Sequence, residues 1–153
     1  MRGGSIVVGI GHPDRGDDAV GLIVADKLRD LVPNDVTVLS EDGEGGSLLD
    51  RLSEAERAIV IDAALSGAPA GTVKRFDAVT EALPPARYGM STHGFGLADA
   101  IELGRVLGRL PERCIVFAIE AESFAIGEPL SPTVAIAADE VVARVLAEVS
   151  GEG

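Results

Sequence analysis

Short apolar runs alternate along this chain with longer segments in which apolar residues recur every three or four positions. Runs of the first kind predict buried strands, and the recurrence of the second kind predicts amphipathic helices. Strands are predicted at residues 5–11, 35–41, 56–65, 71–77 and 113–120. Helices are predicted at residues 18–31, from residue 45, at residues 93–107 and from residue 131.

The alternation of strands and helices predicts an α/β fold built on parallel strands. We expect a single domain over residues 1–153, with an about five-stranded, mostly parallel twisted sheet sandwiched by helices. The half-polar strand at 71–77 is expected at an edge of the sheet. Residues 82–92, which include two prolines, are expected to form a loop.

Ionisable residues follow several of the predicted strands. Right-handed crossovers bring the strand-to-helix loops to one edge of the sheet, where open α/β sheets place their sites. The third strand is expected to end near Asp62, and His93 opens the third predicted helix. The residues expected together at this edge are Asp17, Asp18, Asp42, Asp62, His93 and Glu120.

The loop after the first strand, GIGHPDRGDD, resembles a nucleotide-binding loop only at its start. Asp14 stands at the third glycine of a dinucleotide fingerprint, and Asp17 and Asp18 replace the Lys-Ser of a phosphate loop. Negative charge at this helix start disfavours phosphate binding. We expect Asp17 to cap the helix and Asp18 to face a cleft, with the reverse assignment left open.

The composition narrows the range of partners. A formal net charge of −12, from 25 acidic against 13 basic residues, disfavours nucleic acid and anionic membrane surfaces. The apolar run at residues 6–10 is too short for a signal peptide or membrane span, so a cytoplasmic protein is expected. The single cysteine, Cys114, lies in an apolar run and is predicted to be a buried thiol.

The chemistry of the predicted edge favours a metal. Asp18, Asp62 and His93 come from separate loops and form a plausible three-ligand site for a divalent transition ion, with positions left open for an outside ligand. A second interpretation is an aspartyl dyad, in which Asp18 and Asp62 share a proton at about 3 Å.

Five segments, in order, resemble the [NiFe]-hydrogenase maturation endopeptidases, peptidase family M52, and together they cover nearly the whole chain. The resemblance implies that Asp18, Asp62 and His93 are the catalytic, metal-contacting residues. The segments are VGIGHPDRGDDAVGLIVADKL, EDGEGGSLLDRL, IVIDAALSGAPAGTVKRF, STHGFGLADAIELGRVLG and IEAESFAIGEPLSPTV.

The resemblance also implies an activity and a partner. Enzymes of this family are peptidases that remove a C-terminal extension from the large-subunit precursor of a [NiFe] hydrogenase after nickel insertion. The metal is then nickel supplied by that substrate. The alternative is a non-catalytic metal-binding assembly chaperone for the same subunit, and a small-molecule hydrolase or nucleotide binder is disfavoured by the acidic loop.

The chain departs from the family pattern in two loops beside the predicted site. His12 stands where the family usually has Asn, and GEGG replaces GGTxG after Asp42. His12 is interpreted either as an added ligand or as a residue that makes an Asn-like hydrogen bond. Asp42 is interpreted either as support for the ligands or as an ordinary turn residue.

Overall fold

The computed structural model describes residues 4–89 and 94–151, which form one mixed sheet with helices on both faces. The predicted α/β fold is confirmed. The strands are β1 (Ser5–Ile10), β2 (Val36–Glu41), β3 (Arg57–Leu65), β4 (Val73–Asp77), β5 (Arg87–Tyr88) and β6 (Arg113–Glu120). The helices are α1 (Val20–Leu28), α2 (Gly45–Glu54), α3 (Leu97–Val106) and α4 (Pro132–Val149).

The strand order is β2-β1-β3-β6-β4, with β5 paired to β3 outside this path. The β1–β2, β1–β3 and β3–β6 pairs are parallel, whereas β4 runs antiparallel to β6 at the edge, as expected from its half-polar sequence. The prediction that residues 82–92 form only a loop was wrong, because Arg87–Tyr88 pairs antiparallel with the end of β3.

Apolar side chains divide between the two faces of the sheet, because successive residues of a strand point to opposite sides. One cluster joins Ile59, Ile61 and Phe117 to α1 and α4, and the other joins Val60 and Val116 to α2 and α3. Within the described ranges, no helix combines the length and apolar character needed to cross a bilayer.

The first helix differs from the predicted 18–31. A 3₁₀ turn at Gly16–Ala19 precedes α1, which ends at Leu28. The Leu28 carbonyl accepts bonds from Leu31 and Val32 in a closing turn, so the apolar spacing continues after the helix has stopped. The prediction that an aspartate caps this helix was wrong, because Arg15 and Ala19 occupy the cap positions without side-chain bonds.

Two glycines allow α1 to lie directly against β1. A methyl group on Gly9 would lie 2.1 Å from the Gly21 carbonyl oxygen. One on Gly21 would lie 2.2 Å from that of Ile10 and 2.6 Å from that of Ile61. Gly21 thus permits the close strand–helix contact that the absent fingerprint glycine would provide. This contact brings the 3₁₀ turn close to the carboxyl ends of β1 and β3.

Candidate active site

Asp62 lies where β3 loses one neighbour and gains another. The pairing of β1 with β3 ends at Gly9 opposite Ile61, and the pairing of β5 with β3 begins at Ala64. Asp62 therefore lies beside a gap in the sheet, and its side chain is 1 % exposed. The predicted strand 56–65 is confirmed, and the expectation that it ends near Asp62 was wrong, since β3 continues to Leu65 along β6.

The 3₁₀ turn places Asp18 next to that gap. Asp18 is fully buried, and a methyl group on Gly89 would lie 3.0 Å from Asp18 Oδ1 and 3.0 Å from Asp62 Oδ1. The two oxygens are thus no farther apart than twice that distance. Gly89, which follows β5 and has φ of 62°, leaves open the space that both carboxylates face.

Burial and charge make this pair electrostatically costly. Burial raises the pKa of Asp62 well above its ordinary value, and the nearby Asp18 carboxylate raises it further. The backbone N–H of Ala63 donates a 2.8 Å bond to Asp62 Oδ1 and acts in the opposite direction. A bound cation or a shared proton would relieve this repulsion, so the pair is compatible with both the metal and the dyad interpretations.

His12 contacts Asp18 directly. Its Nδ1 lies 2.7 Å from Asp18 Oδ2, and the imidazole is 30 % exposed. When Asp18 is ionised it can only accept a hydrogen bond, and Nδ1 is then the donor of this pair. The structure thus makes the side-chain bond that the Asn-like interpretation expected, and an added-ligand role for His12 stays a prediction.

Asp17 faces away from Asp18 and belongs to a different network. Its carboxylate accepts 2.8 Å and 2.7 Å bonds from the backbone N–H groups of Glu122 and Ser131, and further bonds from Ser123 N and Ser131 Oγ. The side chain is 1 % exposed. Asp17 therefore fixes the β6–α4 loop against the 3₁₀ turn, which replaces its predicted role as a cap of the first helix.

Asp42 forms part of a turn and also lies at the candidate site. Its Oδ1 accepts a 3.0 Å bond from the Glu44 backbone N–H, and Glu44 in turn caps α2. Asp42 also lines, with His12, Asp18 and Gly89, a narrow crevice at the carboxyl edge of the sheet. The exposed Asp42 thus lies at the rim of this crevice, and the buried Asp18 lines it farther inside.

Tyr88 is a crevice residue that the sequence did not single out. Burial raises the pKa of its hydroxyl, and the negative charges of Asp62 and Glu120 raise it further. The hydroxyl donates to the Pro84 carbonyl at 2.7 Å. Glu120 accepts bonds from Ser66 N and Oγ and so fixes the β3–β4 loop. In the sequence, the glycine that follows Tyr88 was the signal that could have indicated a turn at this position.

Two further expectations concern His93 and Cys114. His93 lies outside the described residues, so its predicted ligand role stays a prediction. Across residues 4–89 and 94–151, no three His, Cys, Asp or Glu side chains are grouped as a metal-binding set. Cys114 is fully buried on β6, and burial raises the pKa of its thiol to about 12, as expected for an inert thiol.

Comparison with known proteins identifies a family. The family model for HycI, hydrogenase maturation protease, matches residues 23–148. The chain is 32% identical over 136 residues to the hydrogenase expression/formation protein HupD of Bradyrhizobium diazoefficiens, covering 84% of the chain and 69% of HupD. It is 28% identical over 152 residues to the hydrogenase 2 maturation protease of Escherichia coli, covering 97% of the chain and 92% of that protein.

Solved structures share the fold. The hydrogenase maturating endopeptidase HybD from E. coli superposes with a TM-score of 0.79 at 26% identity, over 100% of this chain and 94% of that one. The maturation protease HycI from Thermococcus kodakarensis gives 0.72 at 23% identity, over 95% and 92%, which shows the fold alone. The family match, the HupD relative and the carboxyl-edge crevice agree, and the chain is a peptidase that belongs to the hydrogenase maturation protease family.

Proposed function

We propose that this peptidase removes the C-terminal extension of a [NiFe]-hydrogenase large-subunit precursor after nickel has been inserted. Its membership of the family and its relatives' names support an endopeptidase that acts in hydrogenase maturation. The observation that carries the proposal is the pair of buried carboxylates, Asp18 and Asp62, which face one space beneath Gly89.

Nickel in the precursor is proposed to be what this pair recognises. Two buried acids repel each other, and a divalent cation between them relieves that repulsion while accepting their oxygens as ligands. Gly89 itself places no side chain above these oxygens. We assign the third ligand to His93, and the substrate supplies the remaining positions together with the metal.

Docking on nickel would position the scissile peptide bond at the mouth of the crevice. Water then attacks the carbonyl carbon and the C–N bond breaks. The water oxygen ends in the new carboxylate, and a proton passes to the released amine. In this proposal Asp18 or Asp62 accepts the proton of the attacking water, the role that a positioned carboxylate performs in general base catalysis.

The test is to incubate the protein with nickel-loaded and nickel-free precursor and to follow the precursor by mass spectrometry. We expect the loaded precursor alone to lose its C-terminal peptide, and Asp62→Ala and His93→Ala to abolish this loss. Asp14→Ala, which removes an exposed acid from the loop that carries Asp18, is the control and should cleave normally.

Two results would contradict the proposal in different ways. Equal cleavage of both precursors, or cleavage by His93→Ala, excludes nickel docking through the triad. An unchanged precursor mass in a stable complex would contradict cleavage of this precursor and would leave only binding, as in the chaperone alternative.

A further inference from the structure

The two oxygens of Asp18 have different surroundings. Oδ2 accepts the 2.7 Å bond from His12 Nδ1, whereas Oδ1 is the oxygen that lies 3.0 Å from the position of a methyl group on Gly89. Oδ1 therefore faces the space shared with Asp62. One oxygen of the carboxylate is held by the imidazole, and the other is directed toward the proposed nickel position.

The backbone of the same loop brings His12 and Asp18 together. The His12 N–H donates to the Asp18 carbonyl at 3.3 Å, and the Asp18 N–H donates to the Arg15 carbonyl at 3.0 Å. A methyl group on Gly11 would lie 2.2 Å from the Asp18 carbonyl oxygen, so only glycine fits there. The loop thus folds back on itself, and the contact between His12 and Asp18 follows from its conformation.

A carboxylate on its own can turn about its last side-chain bond, because that torsion has a broad energy profile. A hydrogen bond to one oxygen removes this freedom and fixes the direction of the other oxygen. Groups that orient metal ligands in this way commonly change metal affinity or activity by about 10–100-fold. The imidazole is 30 % exposed, whereas the Asp18 side chain that it contacts is fully buried.

We propose that His12 is a positioning residue that holds Asp18 with Oδ1 directed toward Asp62, so that both carboxylates meet the substrate's nickel together. The inference rests on the proposed function and adds a residue to that site. It assigns Nδ1 of His12 to Asp18 and not to the metal. The family usually has Asn at this position. The inference explains why His can replace it, because the amide N–H of Asn can donate the same bond.

The experiment compares His12→Ala and His12→Asn in two measurements, the affinity of the isolated protein for Ni²⁺ alone by calorimetry and kcat and KM for nickel-loaded precursor. We expect His12→Ala to lose about 10–100-fold in Ni²⁺ affinity, with a matching rise in KM. His12→Asn should restore most of the loss. Thermal unfolding of both variants checks that the fold is retained.

The Asn variant separates positioning from direct ligation. If His12 binds the metal, Asn should fail as severely as Ala, which would overturn the positioning role. Full Ni²⁺ affinity and normal KM in His12→Ala would overturn it as well. A purely structural role would lower the melting temperature of His12→Ala without changing the KM of the folded protein.

A measurement on the unmutated protein removes any dependence on the folding of the variants. Nitrogen-15 NMR above pH 8 should show the His12 proton on Nδ1, and that signature should disappear in Asp18→Ala. A proton on Nε2 would overturn the inference. If the unmutated chain fails to cleave nickel-loaded precursor, the proposed function fails; if it cleaves and His12→Ala cleaves equally well, only the role of His12 fails.

Discussion

Adding one methyl group at Gly89 should close the space that the two carboxylates face. In Gly89→Ala the new carbon would lie 3.0 Å from Asp18 Oδ1, 3.0 Å from Asp62 Oδ1 and 3.3 Å from Asp62 Oδ2. These distances are shorter than ordinary non-bonded contacts, so either the acids or the backbone must move. An ion that needs oxygens of both acids would then lose its position between them.

The change from Gly to Ala also strains the backbone at residue 89. Gly89 has φ of 62°, a left-handed conformation that costs a residue with a side chain roughly 1–2 kcal/mol. For a chain of this size, each kcal/mol lowers the melting temperature by about 2–4 °C. Gly108→Ala is the matched control, because Gly108 has φ of 68° and a methyl group there meets nothing within 4 Å.

Gly108→Ala should lose only the stability that the backbone strain costs, and Gly89→Ala should lose at least as much in urea titrations, whereas only Gly89→Ala should lose function. Misplacement of reacting groups by about 1 Å costs on the order of a hundredfold in rate, so we expect a loss of that size in kcat/KM for nickel-loaded precursor. Wild-type kcat/KM in Gly89→Ala would show that cleavage does not need the space next to both carboxylates. An equal loss in Gly108→Ala would show that the effect comes from strain and not from the crevice.

Three further changes test the surroundings of the crevice. Asp17→Ala leaves three backbone N–H groups of the β6–α4 loop without their carboxylate acceptor and should cost about 3 kcal/mol in urea titrations, whereas Asp14→Ala should change stability by less than about 0.5 kcal/mol. Asp62 holds its proton more tightly in the folded metal-free protein than when unfolded. Its stabilising contribution is therefore present below its ordinary pKa of 3.8 and is lost as pH rises through the higher folded-state pKa. Stability curves of Asp62→Asn should lack this loss, and a parallel pH profile in both proteins would contradict it. Cys114 should not react with Ellman's reagent in the native protein and should react once the protein is unfolded, because its thiol is buried and has a pKa of about 12. A fast reaction in the native protein would show that β6 opens.

Local patterning was sufficient to predict most of the fold. The sequence shows the apolar runs of β1, β3 and β6 and the glycines that begin α2. These elements can be recognised because a buried strand and a helix start each leave a pattern in consecutive residues. β5 has no such signal, since it contains only Arg87 and Tyr88. It forms because β3 extends beyond β1 and its backbone groups need partners.

Part of the site could be predicted from the sheet topology, and part depends on contacts with residues that are distant in the sequence. The meeting of Asp18 and Asp62 follows from parallel topology, because adjacent strand ends converge at one edge of the sheet. The role of Asp17 could not be predicted in the same way, since its hydrogen-bond partners lie in the distant segment 122–131. The choice between Asp17 and Asp18 was therefore decided by tertiary contacts, and His93 stays a prediction.

We propose that Asp18 and Asp62 contact nickel held by the precursor. Nickel-edge X-ray absorption of nickel-loaded precursor, alone and mixed with the protein at low temperature, tests it directly. We expect the nickel to gain oxygen neighbours in the complex with the unmutated protein and not with the double variant Asp18→Ala, Asp62→Ala. A nickel spectrum that stays unchanged when a stable complex forms would contradict the claim.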